Sequence, residues 1–239
     1  VSENDLAVDL TTKSVAIGFP TGFTVPWRTA HSLARTAHAC ALRKIDMTIL
    51  DVVGSSIITT ARSLVVQRFL ESDKQRLFWI DSDMVWEPED FLRLLALSHK
   101  LSVVCAGYPL KRDSNGNEFV IFTDGRQVTM NQYGLLEIEG AGLGFCVMDR
   151  AVVEAVAAGK PTVFNQGTGT EMREVFRIDA FDGKLRGEDM AFFADVREAG
   201  HKVWLDPTIQ LGHVGEKVYT GDLVKAFGLQ KYFKAEGEK

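Results

Sequence analysis

Three deficits frame the reading of this chain. Cysteine is scarce, and Cys40, Cys105 and Cys146 are widely spaced, odd in number and set mostly among apolar neighbours. Such a set argues against a disulfide framework or a Cys-based zinc site, and reads as reduced, buried thiols in a cytoplasmic setting. Long apolar runs are missing as well: no segment approaches the ~20 residues that a membrane-spanning helix requires. The first five residues, Val-Ser-Glu-Asn-Asp, are polar and acidic, unlike a signal peptide. Positive charge is not in excess, with 27 Lys and Arg against 32 Asp and Glu and a net charge of −5. The surface as a whole is therefore not built to bind polyanions, although a local basic groove stays compatible with that balance. There is no internal repeat, low-complexity tract or Pro/Ser-rich linker. A hydrophobic content of 46% and a charged content of 25% are ordinary for a globular protein, and 239 residues are enough for one large α/β domain or two small ones.

What is present is an alternation of short apolar runs with amphipathic stretches. Residues 15–19 read as a first strand, followed by the turn-rich Pro20-Thr21-Gly22-Phe23. Residues 26–43 read as a helix with Leu33, Ala37 and Ala41 on its apolar face. A strand at 47–53, a helix at 57–70 and a strand at 78–81 follow. The next helix, 88–98, has Pro88 in its first turn, where the missing N–H costs nothing, and a fourth strand covers 102–107. This βαβαβαβ order predicts a mostly parallel sheet with helices on both faces.

Beyond Tyr108 the texture changes. Residues 111–117 are polar and turn-prone, and the segments through 138 are short with a period of two. The glycine-rich stretch 140–144 leads into a strand at 145–148 and a helix near 150–158. Residues 158–171, rich in Gly and Thr, read as a mobile loop. Gly187-Glu188-Asp189 opens a helix to about 199, closed by Gly200. Short strands are expected at 203–205 and 209–211, and an amphipathic helix at 222–233. We expect one domain over 1–239: a nucleotide-type half at about 15–110, an acceptor-side half at about 111–221, and a C-terminal helix and tail at 222–239.

The most informative stretch is Leu77-Phe78-Trp79-Ile80-Asp81-Ser82-Asp83, a buried-strand run that ends in two carboxylates one residue apart. Side chains at i and i+2 share a face, so Asp81 and Asp83 can aim at one point past the strand's C-terminal end. That is where open α/β sheets bind ligands. Two such carboxylates repel unless a cation or hydrogen-bond donors lie between them, which reads as half of a metal–diphosphate site. The plainer alternative is that they cap the next segment. Arg62, before a helical stretch, can reach a nucleotide or diphosphate, or can be an ordinary exposed arginine. Residues 140–144 either bring backbone amides to a ligand or make a tight turn. Lys111 and Arg112 either line a cleft or belong to a solvated charged loop. Trp27 and Trp86 are able to stack on a base or sugar, with packing at a strand–helix junction the plainer role for Trp86. Trp204 reads as core.

Taken in order, Ala16–Gly22, Ala61-Arg62-Ser63, Asp81-Ser82-Asp83, the 140–144 loop, Gly187-Glu188-Asp189 and Leu211-Gly212-His213-Val214-Gly215 resemble the GT-A glycosyltransferases, and among them the family-2-like enzymes often encoded by bacteriophages. The resemblance spans roughly residues 15–215. It implies a Rossmann-like GT-A fold and a metal-dependent transfer of sugar from a nucleotide-sugar donor, a UDP-sugar, to an acceptor hydroxyl. Asp83 and His213 would hold Mn²⁺ or Mg²⁺, and imidazole suits Mn²⁺ and its relatives. Pro20, Thr21, Gly22, Arg62, Asp81, Ser82 and Gly142 would contact the donor. Asp189 would be the general base of an inverting reaction, with Glu188 beside it at the substrate. Both carboxylates are also explained by helix N-terminal position alone. Residues 165–171 would form a lid that excludes water from the donor. The acceptor would be a glycan, or a hydroxymethylated DNA base in a phage, with the host cytoplasm as the location. A sugar nucleotidyltransferase would carry Lys and Arg in its N-terminal triphosphate loop, and residues 16–24 have neither. A non-catalytic binding module of the same fold is separated from an enzyme by product formation.

Overall fold

A computed structural model of the chain describes residues 8–112, 118–123, 125 and 128–233. The N-terminal acidic residues and most of the turn-prone stretch at 111–117 lie outside the described residues. The elements, in order, are β1 (Val15–Thr21), α1 (Trp27–Leu42), β2 (Met47–Val53), α2 (Ile58–Glu71), β3 (Arg76–Ile80), β4 (Met84–Val85), α3 (Pro88–Leu97), β5 (Val103–Ala106) and β6 (Ile121–Phe122). They continue with β7 (Leu136–Ile138), β8 (Gly140–Ala141), β9 (Phe145–Asp149), α4 (Arg150–Ala158), β10 (Thr162–Asn165), β11 (Thr170–Arg173), β12 (Asp179–Phe181) and β13 (Lys184–Arg186). The last are α5 (Glu188–Glu198), β14 (Val203–Asp206), β15 (Gly212–Val214), β16 (Val218–Thr220) and α6 (Leu223–Ala226).

Seven strands form the central sheet in the order β2-β1-β3-β9-β5-β14-β7. β2, β1, β3, β5 and β14 run one way, and β9 and β7 run against them. The mostly parallel sheet is as the sequence order predicts, with one difference. β3 and β5 are not neighbours, because β9 lies antiparallel between them. Its sequence explains the slot: Phe145, Cys146, Val147 and Met148 are all buried, so the strand is apolar on both faces and fits only a central position.

Strand alternation feeds two cores. Leu77 and Trp79 of β3 face the layer of α2, α4 and α5, packing with Leu64, Val65, Val153 and Phe192. Phe78 and Ile80 face α1 and α3, with Cys40, Phe91 and Leu95. The buried side of α1 differs from the expected one: it is Thr29, Ser32, Thr36 and Cys40, while Ala41 is exposed. The hydroxyls are there for Trp86, whose backbone N–H donates to Ser32 Oγ (3.2 Å) and whose indole Nε1 donates to Thr36 Oγ1 (2.8 Å). All three cysteines are buried and free, with the sulfurs of Cys105 and Cys146 2.9 Å apart on neighbouring strands.

Three more expectations are corrected. Residues 162–173 form the hairpin β10–β11, closed by Asn165 Oδ1 accepting from the backbone of Gly167 and Thr168, so the 158–171 loop is structured. Residues 209–211 lie outside any strand, and the strand is Gly212–Val214, which contains His213. The 222–233 helix is broken into α6 and a 3-10 turn at Gly228, where φ is +65°. Among the described residues no helix is long and apolar enough to cross a membrane.

Candidate active site

The chain runs from β1 outward to β2 and then returns across β1 to β3. The order of the sheet therefore reverses between β1 and β3, the crevice where open α/β sheets take ligands. β1 pairs with β2 through Thr21 but with β3 only as far as Gly18 opposite Trp79, so the two strands part at their C-terminal ends. Asp81, Ser82 and Asp83 turn out of β3 there. Pro20 and Thr21 end β1 on the other side, and Gly22 follows, exposed.

Asp83 and His213, 130 positions apart, meet through a small sheet, β16-β15-β4. His213 pairs with Met84, and the N–H of Val214 donates to the carbonyl of Asp83 (2.8 Å). His213 Nδ1 lies 2.8 Å from the carbonyl oxygen of Pro109. A carbonyl only accepts, so Nδ1 carries a proton, and Nε2 is the ring nitrogen left to face a proton or a cation. His213 Nε2 faces Asp83 Oδ1 at 3.6 Å. Asp83 Oδ1 is itself buried and without a hydrogen-bond partner. A carboxylate oxygen and an imidazole nitrogen thus face each other without a hydrogen bond, an arrangement relieved by a proton on Nε2 or by a cation between them. Asp83 Oδ2 is taken by the Lys111 ammonium. Burial pushes the Asp83 carboxyl up, but His213 and Lys111 outweigh it and hold the group below its ordinary value.

Four other side chains form the second cluster. Arg62 on α2 is 3% exposed, and its guanidinium donates to Asp81 (3.0 and 3.2 Å), to Glu188 Oε1 (3.1 Å) and to Asp189 Oδ1. Burial opposes its charge, and Asp81 and Asp189 overcome that, so it stays protonated. Glu188 and Asp189 occupy the first turn of α5, behind Gly187, which offers no side-chain cap. Burial pushes the Asp189 carboxyl up to about 6, with Arg62 pulling it down and Asp81 and Glu188 adding to the rise. Summed, Asp81, Asp83, Glu188 and Asp189 stand against Arg62 and Lys111, leaving two uncompensated negative charges in the crevice.

Of the residues singled out from sequence, the structure brings together Asp81, Asp83, Arg62, Glu188, Asp189 and His213. Two expectations are corrected. Gly142 does not open toward the crevice: it is buried, and a Cβ there would fall on the Tyr108 hydroxyl. Gly144 is held the same way, and its N–H donates to Tyr108 Oη (3.4 Å). The 140–144 glycines thus make room for an aromatic ring rather than for a ligand. Arg62 does not extend toward a diphosphate, since the three carboxylates already occupy its guanidinium. Trp86 is core, whereas Trp27 is 70% exposed beside a cavity of about 320 Å³ lined also by Val214–Val218. The hairpin turn at 165–168 walls a cavity of about 510 Å³ together with residues 52–57 and the start of α2.

Sequence reasoning missed the segment Tyr108-Pro109-Leu110-Lys111 as one unit. Its tyrosine ring meets His213 edge-on (5.0 Å between centroids), its proline carbonyl sets the tautomer, and its lysine pairs with Asp83. The hub role of Arg62 did leave a signal, a charged residue between Ala61 and Ser63 in a run of buried residues that continues through Val66.

This is a mixed α/β domain built on a seven-stranded, mostly parallel sheet. No family model and no curated protein matches the sequence. Among solved structures, A197 from STIV shares the fold, with a TM-score of 0.52 and 19% identity over 87% of this chain and 94% of that one. GalNAc-T7, solved with UDP, GalNAc and Mn²⁺, aligns at a TM-score of 0.49 and 11% identity over 85% of this chain and 44% of its own. A glycosyltransferase involved in the glycosylation of the major capsid of PBCV-1 aligns at 0.34 and 10% identity, over 59% and 62%.

Proposed function

We propose that the chain is a metal-dependent glycosyltransferase moving a sugar from a nucleotide-sugar donor, a UDP-sugar, to an acceptor hydroxyl on a glycan or a hydroxymethylated DNA base. The observation that carries this reading is the facing pair of Asp83 Oδ1, buried and without a hydrogen-bond partner, and His213 Nε2, on a ring oriented by the Pro109 carbonyl. Among the described residues no group of three or more His, Cys, Asp or Glu forms a metal cluster. A two-residue protein donor set suits an ion that completes its coordination with phosphate oxygens and water. Bound to Asp83 and His213, Mn²⁺ or Mg²⁺ supplies positive charge against the departing diphosphate.

The chain's own residues do the rest. Pro20, Thr21, Gly22, Asp81 and Ser82 frame the donor at the β1/β3 crevice, so residues of about 15–110 hold the donor and those of about 111–221 present the acceptor. Arg62 fixes the directions of Asp81, Glu188 and Asp189 with one rigid guanidinium. The Asp189 carboxylate accepts the proton of the acceptor hydroxyl as that oxygen attacks the sugar from the face opposite the leaving diphosphate, which inverts the anomeric centre. Glu188 orients the sugar or acceptor beside it.

The test is nucleotide release from a panel of UDP-, GDP- and other nucleotide sugars, with and without Mn²⁺. Release from one donor that requires metal and is lost in Asp83→Asn supports the assignment. No release from any donor, with no calorimetric binding of UDP and Mn²⁺, overturns it.

A further inference from the structure

One cation already touches the candidate metal pair. The Lys111 ammonium sits on Asp83 Oδ2 while Oδ1 of the same carboxylate faces His213 without a partner. The lysine is led there by its own segment, two residues after Pro109, whose carbonyl holds His213. Its stem has a reserved path: a Cβ on Gly215 would stand 3.3 Å from Lys111 Cδ, closer than ordinary packing. The glycine beside the histidine strand thus leaves room for the lysine stem and for the Tyr219 ring.

We propose that Lys111 is the resident counter-cation of Asp83, which a divalent cation must displace to bind between Asp83 and His213. This rests on the metal reading of that pair. Two cations on one carboxylate repel each other, so the ammonium and the metal compete. The ammonium is a single point charge on a flexible stem and both partners are about one-third exposed, so the pair opens readily. In the metal-free state Lys111 holds the Asp83 carboxylate in register with His213. Arginine would grip the carboxylate with a planar fork and leave less readily.

The experiment measures Mn²⁺ binding, without nucleotide, by the electron paramagnetic resonance signal of free Mn²⁺. It compares the wild-type chain with Lys111→Met, Lys111→Arg and Asp83→Asn, each checked for an unchanged thermal transition in EDTA. We expect Lys111→Met to bind Mn²⁺ roughly three- to tenfold more tightly than wild type, and Lys111→Arg no more tightly than wild type. Equal or weaker binding by Lys111→Met, with Asp83→Asn still abolishing it, overturns the competition and leaves the metal site standing. Mn²⁺ binding that is absent, or indifferent to Asp83→Asn in both the wild-type and Lys111→Met backgrounds, removes the metal reading and this inference together.

Discussion

Three carboxylates converge on the guanidinium of Arg62, so deleting that side chain does more than remove a contact. Asp81, Glu188 and Asp189 would be left as three like charges in a half-buried crevice. Arg62→Met should destabilise the fold by on the order of 3 kcal/mol at pH 7, read as a drop in the urea midpoint with unchanged slope. Part of that loss should return at pH 5, where protonation relieves the repulsion. Asp189 makes a separate prediction. Its folded pKa of about 6 lies above the ordinary carboxylate value near 3.9. Between those two values the folded state binds the proton and the unfolded state does not, so this residue's contribution to stability falls as pH rises from about 4 to 6. The difference in unfolding free energy between Asp189→Asn and wild type should therefore shift in favour of the variant from pH 4 to pH 7. The transfer rate should rise through about pH 6 as the base ionises, and a rate that is flat from pH 5 to 7.5 would count against Asp189 as the base.

At the level of elements, the 140–144 loop and the Tyr108–Lys111 segment behave as one device. Gly142→Ala puts a methyl group where the Tyr108 hydroxyl lies, in a buried site with Val120 also close. The expected cost is about 1–3 kcal/mol, measured by chemical unfolding. Mn²⁺ affinity should weaken as well, because a displaced Tyr108 drags the Pro109 carbonyl away from His213. What was legible at this scale follows from local pattern. The strand feeding Asp81, the first three parallel strands and the helix opening on Glu188 and Asp189 all announce themselves through apolar runs, caps and glycines. The β12–β13 hairpin went unread, although Asp182-Gly183, with φ of +50° and +70° in the structure, is a turn signal between short strands. The pairing of β4 with β15 was not legible, since two- and three-residue strands have no period of their own and are defined only by the partner they meet.

For the molecule as a whole, the sign of the crevice matters more than the net charge of −5. Four carboxylates against two cations make the approach of an anionic nucleotide diphosphate unfavourable until a cation is added, so donor binding should depend on divalent metal before chemistry does. That balance was invisible in the sequence, where Asp81, Asp83, Glu188 and Asp189 are separated by up to 108 positions and nothing local says that Arg62 and Lys111 join them. The fold class was legible because βα alternation is periodic; the site's charge count was not, because it depends on which loops fold back over the sheet.

The position of β9 also bears on how the chain is divided. Residues 145–149 belong to the acceptor-side half, yet they fill the gap between β3 and β5 of the donor-side half. Remove them and those two strands stand two strand spacings, roughly 10 Å, apart, with unpaired backbone along both facing edges. A donor-binding fragment ending near residue 110 thus has a slit through the middle of its sheet. The two proposed halves are interleaved in one sheet like the pages of two books, so neither should fold when excised without the other.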